Sequence, residues 1–477
     1  MPGSYTYAYA APSAFTAPEA LVLSTSGGSA RPVATAPAAA GAAAPTVAPT
    51  AAPTAAPDTP SAPRFFAGFA TRPGVAAAGM LAVAQVARAR YVDPRDVTTR
   101  DPVITSDGSM LRLESFSDCC GVYARLDLLP EMLDGVLAAR GTTNVDVGEP
   151  LRRALARTGD GGLLHLTVGR DELAVTTADG GTVERRVPLP RRWVRGFAEV
   201  QVLSTALEPQ FELDAAGAAG FLGGLGSGAR ASGAGWVVPS GAGVRATSGA
   251  RPGAVCLPGP ARLAALRPLL RHATGLRVHG PAVRAGSPPV VSAWELQLPG
   301  ARLVLTLSPE VRRGFSGEGA VLSGLVAPGV EDDAVTVLAL LEDLPGIDLD
   351  RVARRTGLGT AQVRAALTYL GVSGRVGYDV ATARHFAREL PFLASAADRD
   401  NPRLAAARAL VAGDAVRRVP DPDGTDDVVE VEHDGRRHRV RAHDGRLRCT
   451  CPWYAAYGGS RGPCSHVLAV QLVEGRA

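Results

Sequence analysis

Four residues near the C-terminus have the types and spacing of a metal site: Cys449, Cys451, Cys464 and His466. They form a Cys-x-Cys pair, a spacer of twelve residues and a Cys-x-His pair. Thiolate and imidazole are the ligands that zinc prefers in proteins, and four of them complete a tetrahedron. Because protein side chains would fill every position, none remains for a catalytic water. The spacing therefore predicts a structural zinc site and argues against a zinc hydrolase.

Other metals and other ligands are less favoured at this site. Iron is compatible with three Cys and one His, but a closed finger favours zinc. Three further imidazoles, those of His433, His438 and His443, lie close by in sequence. We interpret them as exposed strand and turn residues rather than as alternative ligands.

Strands and a helix are predicted to position the four ligands. Three stretches alternate between apolar and polar residues: 428–433, 436–442 and 446–451. Asp-Gly pairs at 434–435 and 444–445 favour two-residue hairpin turns between them. The first two ligands would lie two residues apart on the last strand and so face the same side. Residues 464–473 are predicted to form a helix that begins with the other two ligands.

This pattern resembles the SWIM zinc-finger family, whose signature is Cys-x-Cys, a variable spacer and Cys-x-His. The match is carried by the four ligands, within a strand pair and a following helix, and covers about the last fifty residues. The rest is similar to actinobacterial SWIM zinc-finger proteins in four stretches: Arg64 to Phe69, Glu114 to Leu129, Gly141 to Val147 and Ser308 to Gly319. The resemblance implies binding to DNA or to other proteins and gives no enzymatic activity.

Residues 331–395 show the pattern of a helix-turn-helix. Apolar residues recur at helical spacing in three short stretches, and glycines end the last two. The third stretch, Thr360 to Leu370, would be the recognition helix, with Gln362, Arg364 and Thr368 facing outward. Gln can read adenine, and Arg can read guanine or bind phosphate.

A short hairpin or wing is expected after this helix, at Ser373 to Val380, where it would carry Arg375 and Tyr378. Many acidic residues in this segment argue against DNA contact, but they cluster in the first two helices and so still allow a neutral or basic DNA-facing side. Winged helices also serve as protein-interaction modules, so both kinds of contact stay open.

The remaining chain is predicted to comprise a disordered segment and a large domain. Residues 1–62 are rich in Ala, Pro and Thr and cannot bury enough apolar surface to fold. Residues 63–329 combine hairpin signals with helical stretches, without a defined topology. Its predicted strands include 163–168, 172–177, 182–187, 294–298 and 303–307, and its predicted helices are 74–90, 213–224 and 260–272. We therefore predict a multidomain α+β protein with four parts: disordered 1–62, α+β 63–329, winged-helix-like 330–400 and zinc finger 401–477.

Arginines near the predicted finger offer a phosphate-binding surface. The nucleic-acid-binding candidates are Arg436, Arg437, Arg439, Arg446, Arg448 and Arg461 in the finger, with Gln362 and Arg364 in the recognition helix. A second patch places Arg185, Arg186, Arg191, Arg192 and Arg195 around Trp193 and Phe197. Arg interleaved with aromatic residues suits single-strand or phosphate binding, but a solvated strand edge with a buried Trp193 explains it better.

Two further motifs are interpreted as structural. Gly314 to Gly319 is rich in glycine but has neither the Lys-Ser/Thr of a phosphate-binding loop nor a dinucleotide spacing, so we expect a tight turn. Adjacent Cys119 and Cys120 suit neither a redox pair nor a metal, so we expect buried packing. No catalytic triad or carboxylate pair is evident, and we expect no enzymatic activity.

Composition limits the class of protein. The net charge is only +4 and the chain contains no Lys, so all 50 basic residues are Arg and any nucleic-acid contact needs a local patch. Six Cys in 477 residues fit zinc thiolates in a reducing cytoplasm better than a disulfide scaffold. No signal peptide or membrane span is apparent. We expect a cytoplasmic zinc protein that binds nucleic acid, DNA rather than RNA; the alternative is a protein-interaction adaptor. No small-molecule substrate is identified.

Overall fold

The structure is a computed structural model, and it describes residues 14–17, 20–22, 64–91, 102–225, 234–241, 243–343, 346–390, 401–420, 428–443 and 446–475. Near the N-terminus, strands β1 (Ala14–Ala17) and β2 (Ala20–Val22) pair antiparallel. The prediction of disorder for the rest of residues 1–62 lies outside the described residues.

The central region alternates strands with a few helices. Its strands are β3 (Arg64–Ala70), β4 (Val103–Ser106), β5 (Leu111–Phe116), β6 (Val122–Leu128), β7 (Leu133–Leu137), β8 (Gly141–Asn144), β9 (Leu164–Gly169), β10 (Glu172–Thr177), β11 (Gly180–Arg185), β12 (Glu208–Asp214), β13 (Ala234–Ser240), β14 (Gly243–Thr247), β15 (Val255–Pro258), β16 (Gly275–Gly280), β17 (Ser292–Leu298) and β18 (Ala301–Leu307). Its α-helices are α1 (Pro73–Arg88), α2 (Glu149–Arg157), α3 (Arg191–Ser204), α4 (Ala215–Gly224) and α5 (Leu322–Leu325). Short 3₁₀ helices span Pro130–Met132, Pro260–His272 and Phe315–Gly317.

Antiparallel pairing organises these strands into three sheets. The largest has eight strands in the order β12-β16-β17-β18-β6-β5-β4-β8. A second has the order β11-β10-β9-β3-β7, and a small third has the order β14-β13-β15. Helix α1 packs on β5 and β6 through Met80, Val83 and neighbouring alanines, which are buried in one continuous apolar core. The predicted α+β class is confirmed.

Several predicted elements need correction. The hairpin strand predicted at 182–187 begins earlier, because Thr177 pairs with Gly180 across a two-residue turn. Residues 260–272 form a 3₁₀ helix, and Pro268 inside it lacks the amide that an α-helix would use. Of the arginine patch around Trp193, the residues Arg191, Arg192 and Arg195 lie on helix α3, whereas Arg185 ends the edge strand β11.

Three helices and a hairpin follow, as predicted for a winged helix. They are α6 (Val330–Asp343), α7 (Leu349–Thr356), α8 (Thr360–Val372), β19 (Val376–Asp379) and β20 (Arg384–Ala387). Val337, Val352 and Leu367 contribute to a shared core between the helices. Gly357 ends α7 in the left-handed conformation that favours glycine. The wing extends beyond the predicted residues 373–380 because β20 completes it.

The C-terminal module is a four-stranded sheet covered by helices. Its elements are α9 (Pro402–Ala412), β21 (Val416–Val419), β22 (Val428–His433), β23 (Arg436–His443), β24 (Arg446–Cys449), α10 (Pro452–Tyr457) and α11 (Ser465–Glu474). The strands pair in chain order, and Asp434 and Gly435 both adopt positive φ in the predicted β22–β23 turn. The Asp444-Gly445 turn lies outside the described residues. Helices α9 and α11 pack together on the inner face. Within the described part of the chain, no helix is long and apolar enough to cross a bilayer.

Candidate metal centre and nucleic-acid interface

The four predicted ligands converge at one buried point. Cys449 is the last residue of β24, and His466 lies in the first turn of α11. All four side chains are buried, and their ligand atoms lie within 4.8 Å of one another. The prediction that Cys451 lies on the strand is wrong, because Pro452 starts helix α10 immediately after it. Two ligands are therefore N-cap residues, Cys451 of α10 and Cys464 of α11.

Backbone amides point at the sulfur atoms. The amide of Tyr454 donates to Cys451 Sγ at 3.4 Å, and that of Val467 donates to Cys464 Sγ at 3.5 Å. The Cys451 amide in turn donates to Cys449 Sγ at 3.4 Å. Amides and helix N-termini favour negative charge, so this backbone stabilises thiolates over thiols.

The three thiols share their protons unequally. A hydrogen bond from Cys449 lowers the pKa of Cys464 to about 4, while the same contact, together with burial, raises the pKa of Cys449. Burial also raises the pKa of Cys451. A cation is therefore needed to bring all three sulfurs to the thiolate form, and metal binding would release the protons.

His466 is oriented for a metal by a second histidine. Its Nδ1 lies 3.7 Å from Cys449 Sγ, and its Nε2 lies 2.9 Å from Nδ1 of His433. The ring of His438 packs on His466 with centroids 4.3 Å apart. The expectation of exposed histidines is thus wrong for half-buried His433 and His438 and right for His443. Hydrogen bonding to the distal ring nitrogen is the usual outer-shell support of a metal-ligating imidazole.

The donor set fits zinc. Three sulfurs and one imidazole nitrogen are within reach of a single ion, which is a closed structural set. The protein is a zinc protein, and these four residues are the donors that would hold the ion.

Strand register gathers most of the candidate arginines on the outer face of the finger sheet. Residues directly opposite each other share a face, and Arg441 is opposite Arg448 while Arg439 is opposite Glu430. The inner face carries Val440 and Cys449, which are buried. The outer face of this sheet therefore presents Arg417, Glu430, Glu432, Arg437, Arg439, Arg441, His443, Arg446 and Arg448. We call this set the outer face.

Two of the predicted nucleic-acid contacts lie elsewhere. Arg436 is opposite His433, at the end of the inner face near the metal ligands. Arg461 stacks on Trp453 and Tyr457, at 4.9 and 4.6 Å, and donates to the carbonyl of Gly317 at 3.1 Å. Arg461 therefore links the finger to the central region through its hydrogen bond to Gly317.

Sequence reasoning missed a partner of Arg461 in this contact. Arg403 of α9 lies over Trp453 at 4.7 Å and donates to the carbonyls of Arg461 and Glu318, at 2.7 and 2.8 Å. Gly462 completes the junction, since a Cβ there would lie 2.1 Å from the carbonyl oxygen of Gly319. An isolated Arg in a connector helix gives no signal of this role in the sequence.

The predicted recognition helix is largely buried. Helix α8 packs against α3 and α5 of the central region as well as against its own domain. Thr368 is buried and donates to the Arg364 carbonyl, so its predicted outward orientation is wrong. Gln362 is exposed, but it accepts from the Gly359 amide at 3.0 Å and donates to Asp333 at 3.2 Å. Arg364 is exposed.

The wing is held by a buried network of charges that sequence reasoning also missed. Asp379 of β19 pairs with Arg125 and Arg302 of the large sheet, which also contact Asp127. Arg388, just after β20, pairs with Glu114 at 2.7 Å. Burial alone would raise the pKa of Asp379, but the two arginines lower it below its usual range. These residues are far apart in sequence, so no local sequence pattern predicts the network.

The remaining wing residues are also engaged. The carbonyl of Tyr378 accepts from Arg125 at 2.7 Å. Arg375 pairs with Glu389 at 2.8 Å on the surface.

The weaker motifs prove structural. Trp193 and Phe197 are fully buried around Phe116, which leaves no stacking surface at the second arginine patch. Cys120 is buried, and burial raises its pKa to about 12, whereas Cys119 is half-buried. Gly314 lies so close to the Cys119 carbonyl that a Cβ would be 2.1 Å away, consistent with the predicted tight turn.

Comparisons with known proteins agree with two of these modules. Residues 438–472 match the SWIM zinc finger, and residues 325–377 match the DprA winged helix domain. Among solved structures, the chain is similar to the proliferating cellular nuclear antigen from Entamoeba histolytica, with 9% identity over 52% of this chain and 100% of that chain. The TM-score of 0.34 is too low to support an argument. A comparison with curated protein sequences finds no match.

The C-terminal segment is therefore a SWIM zinc finger, as the resemblance implied, and the preceding module is a winged helix. The resemblance of the other stretches to actinobacterial proteins stays a prediction.

Proposed function

We propose that this zinc protein is a non-enzymatic nucleic-acid-binding protein, acting on DNA rather than RNA, and that the outer face of the finger makes the contact. The observation that carries the proposal is the strand register. It places Arg437, Arg439, Arg446 and Arg448 on one face of a sheet whose other face encloses the zinc ligands.

The outer face has the chemistry of a phosphate-binding surface. Guanidinium groups bind phosphate oxygens in a bidentate manner and are always charged. Glu430 neutralises part of this surface, because it accepts from Arg439 at 3.0 Å. Arg446 and Arg448 form no ion pair with any residue that the structure describes, and both are exposed. Binding through such a surface is largely electrostatic and does not require base contacts.

A salt-titrated gel shift with DNA duplexes, DNA single strands and RNA tests the proposal. We expect binding at low salt that weakens steeply as salt is added, with a log–log slope of about −0.7 to −0.9 per phosphate contact. The double variant Arg437→Ala/Arg448→Ala should weaken binding and reduce the slope by about 2. The matched control is Arg354→Ala/Arg355→Ala, an exposed pair on α7 of the winged helix. Equal losses in the two double variants would contradict the assignment to the outer face.

The second candidate is a protein-interaction adaptor. The burial of the second half of α8 and of the wing charges favours it, because these surfaces pack on the central region of the same chain and are closed to DNA. Absence of binding to every nucleic acid at the lowest salt concentration would leave the adaptor as the better explanation.

A further inference from the structure

A groove runs along the open edge of the finger sheet. One wall is the edge strand β24 with Leu447, and the other is the glycine-rich loop 458–463 that follows α10. Helix α11 forms the floor, and residues 319–323 of the central region close one end. The groove has a volume of about 900 Å³. It exists because Arg403 and Arg461 hold the finger against the central region.

The floor of this groove carries an unsatisfied polar group. Gln471 is only 7% exposed and lines the groove. Its Oε1 is buried and accepts no hydrogen bond from the residues that the structure describes. A buried carbonyl without a donor is costly, and rotation of the Gln471 amide toward the groove would let a ligand supply the donor.

Two other side chains give the groove a mixed character. Tyr454 of α10 is half-buried and lines the wall. It lies beside Gly459, whose Cβ would be 3.8 Å from the Tyr454 ring. Arg446 is exposed and stands at the rim of the groove, where the outer face begins. An aromatic ring, an amide and a guanidinium thus line one recess.

We propose that this groove binds single-stranded nucleic acid. The inference rests on the proposed function and names the form of nucleic acid that the finger takes. A base would stack on Tyr454, the Gln471 amide would accept from an exocyclic amino group, and Arg446 would hold a backbone phosphate. Stacking platforms beside a cationic rim are the usual means of binding unpaired strands.

Two other occupants fit the groove less well. The bases of a duplex are paired and stacked, so their faces cannot enter a recess of this kind. An extended peptide would have to pair with the open edge of β24. That strand has only four residues and carries Arg446 and Arg448, features that discourage edge pairing.

Fluorescence anisotropy on the full chain loaded with zinc tests the proposal. The probes are a mixed-sequence DNA single strand and a duplex of the same sequence. We expect the single strand to bind more tightly. Tyr454→Leu should weaken single-strand binding about tenfold, whereas Tyr454→Phe should retain it because the ring remains. Gln471→Leu removes the unsatisfied carbonyl without a large change in shape and should weaken binding to strands that carry amino-bearing bases, but not to oligothymidylate.

The outcomes separate the groove from the outer face. Unchanged single-strand binding in Tyr454→Leu and Gln471→Leu, together with weakened binding in Arg437→Ala/Arg448→Ala, would overturn the groove and leave the proposed function intact. Tighter binding of the duplex would also overturn it. A parallel anisotropy experiment uses a pool of labelled extended peptides as the probe. Peptide binding that depends on Tyr454, without single-strand binding, would assign the groove to a peptide and refute the proposal. Zinc content, measured for each variant, shows that the finger remains folded.

Discussion

The winged helix and the zinc finger are both recognition modules, yet they contact the central region in opposite ways. The winged helix packs the second half of α8 and the charged end of its wing on the central region, so Thr368 is buried, whereas Gln362 and Arg364 in the first half of α8 stay exposed. The finger instead contacts the central region through the cations around Trp453 and through an apolar cluster shared with α3 and α5, and it leaves the outer face of its sheet exposed. A recognition fold therefore does not by itself identify a recognition surface.

The two contacts also differ in their physical chemistry. The wing is held by carboxylates and guanidinium groups that are removed from water, so each charge depends on its partner. The finger junction uses guanidinium groups stacked on aromatic rings and hydrogen-bonded to backbone carbonyls, and each such stacking contact is worth about 0.5–2 kcal/mol. The wing should therefore be more sensitive to single substitutions than the finger junction, whereas the finger depends on its metal.

The largest effect is expected from removing a zinc ligand. Cys464→Ser should abolish zinc binding and unfold the finger, since structural zinc contributes on the order of 10 kcal/mol to folding. The winged helix should keep its protection against hydrogen exchange, because its own core is separate from the apolar cluster that contains the ligands. Elemental analysis and hydrogen exchange check both statements. The control is Cys119→Ser, which alters a half-buried Cys outside the cluster. Retention of zinc in Cys464→Ser would refute the site.

The next effect concerns the buried charges of the wing. Asp379→Asn leaves Arg125 and Arg302 without one counter-charge and should destabilise the wing by about 3–5 kcal/mol. Hydrogen exchange of β19 and β20 measures this change. The matched control, Glu389→Gln, breaks the exposed pair with Arg375 and should cost less than about 1 kcal/mol. Similar exchange rates in the two variants would show that the buried network does not hold the wing.

A pH dependence of the winged helix follows from His385 of β20. Burial lowers the pKa of this histidine to about 4. The unfolded chain takes up a proton near pH 6.5 whereas the folded chain does not, so stability falls as the pH drops from about 6.5 to 4. The loss should reach about 3 kcal/mol, at 1.36 kcal/mol for each pH unit between the two pKa values.

Denaturant unfolding of the wild type and of His385→Phe across this range checks the expectation. The variant should lose most of the pH dependence of the winged helix, because its side chain cannot take up a proton. If the free energy of unfolding falls with pH by the same amount in both proteins, His385 is excluded as the cause.

The smallest effect should appear at the finger junction. Gly462→Ala places a Cβ against the Gly319 carbonyl in addition to the strain of a positive φ, whereas Gly458→Ala has the strain but meets no atom within 4 Å. The strain alone costs about 1–2 kcal/mol in each variant. Only Gly462→Ala should loosen the junction, which faster exchange of the amides around Ser316 would reveal. Equal behaviour of the two variants would mean that the close approach does not limit docking.

Local patterns predicted the modules well. The Cys and His spacing, the Asp434-Gly435 turn and the helical periodicity of residues 330–372 depend on neighbours in sequence, and the structure confirms them. The errors lie where an element contacts something distant. Thr368 has the spacing of an outward residue within its own helix, but α3 and α5 cover it.

Non-local partners explain the remaining differences at the site. His433 was interpreted as an exposed turn residue, and only the folding of β22 beside α11 brings its ring to His466. Arg461 was assigned to nucleic acid because it is basic and lies near the ligands, yet it binds Gly317 of the central region. Arg125 and Asp379 form their pair across 254 positions, beyond any sequence period.

The sequence by itself determined the zinc ligands, the class of each module and the alternation that puts most of the finger arginines on one face, because these depend on the chemistry and the period of a short segment. Only the tertiary structure decided which recognition surface stays open. That outcome depends on long-range packing and on pairing between buried charges, and both are properties of surfaces that the folded chain brings together.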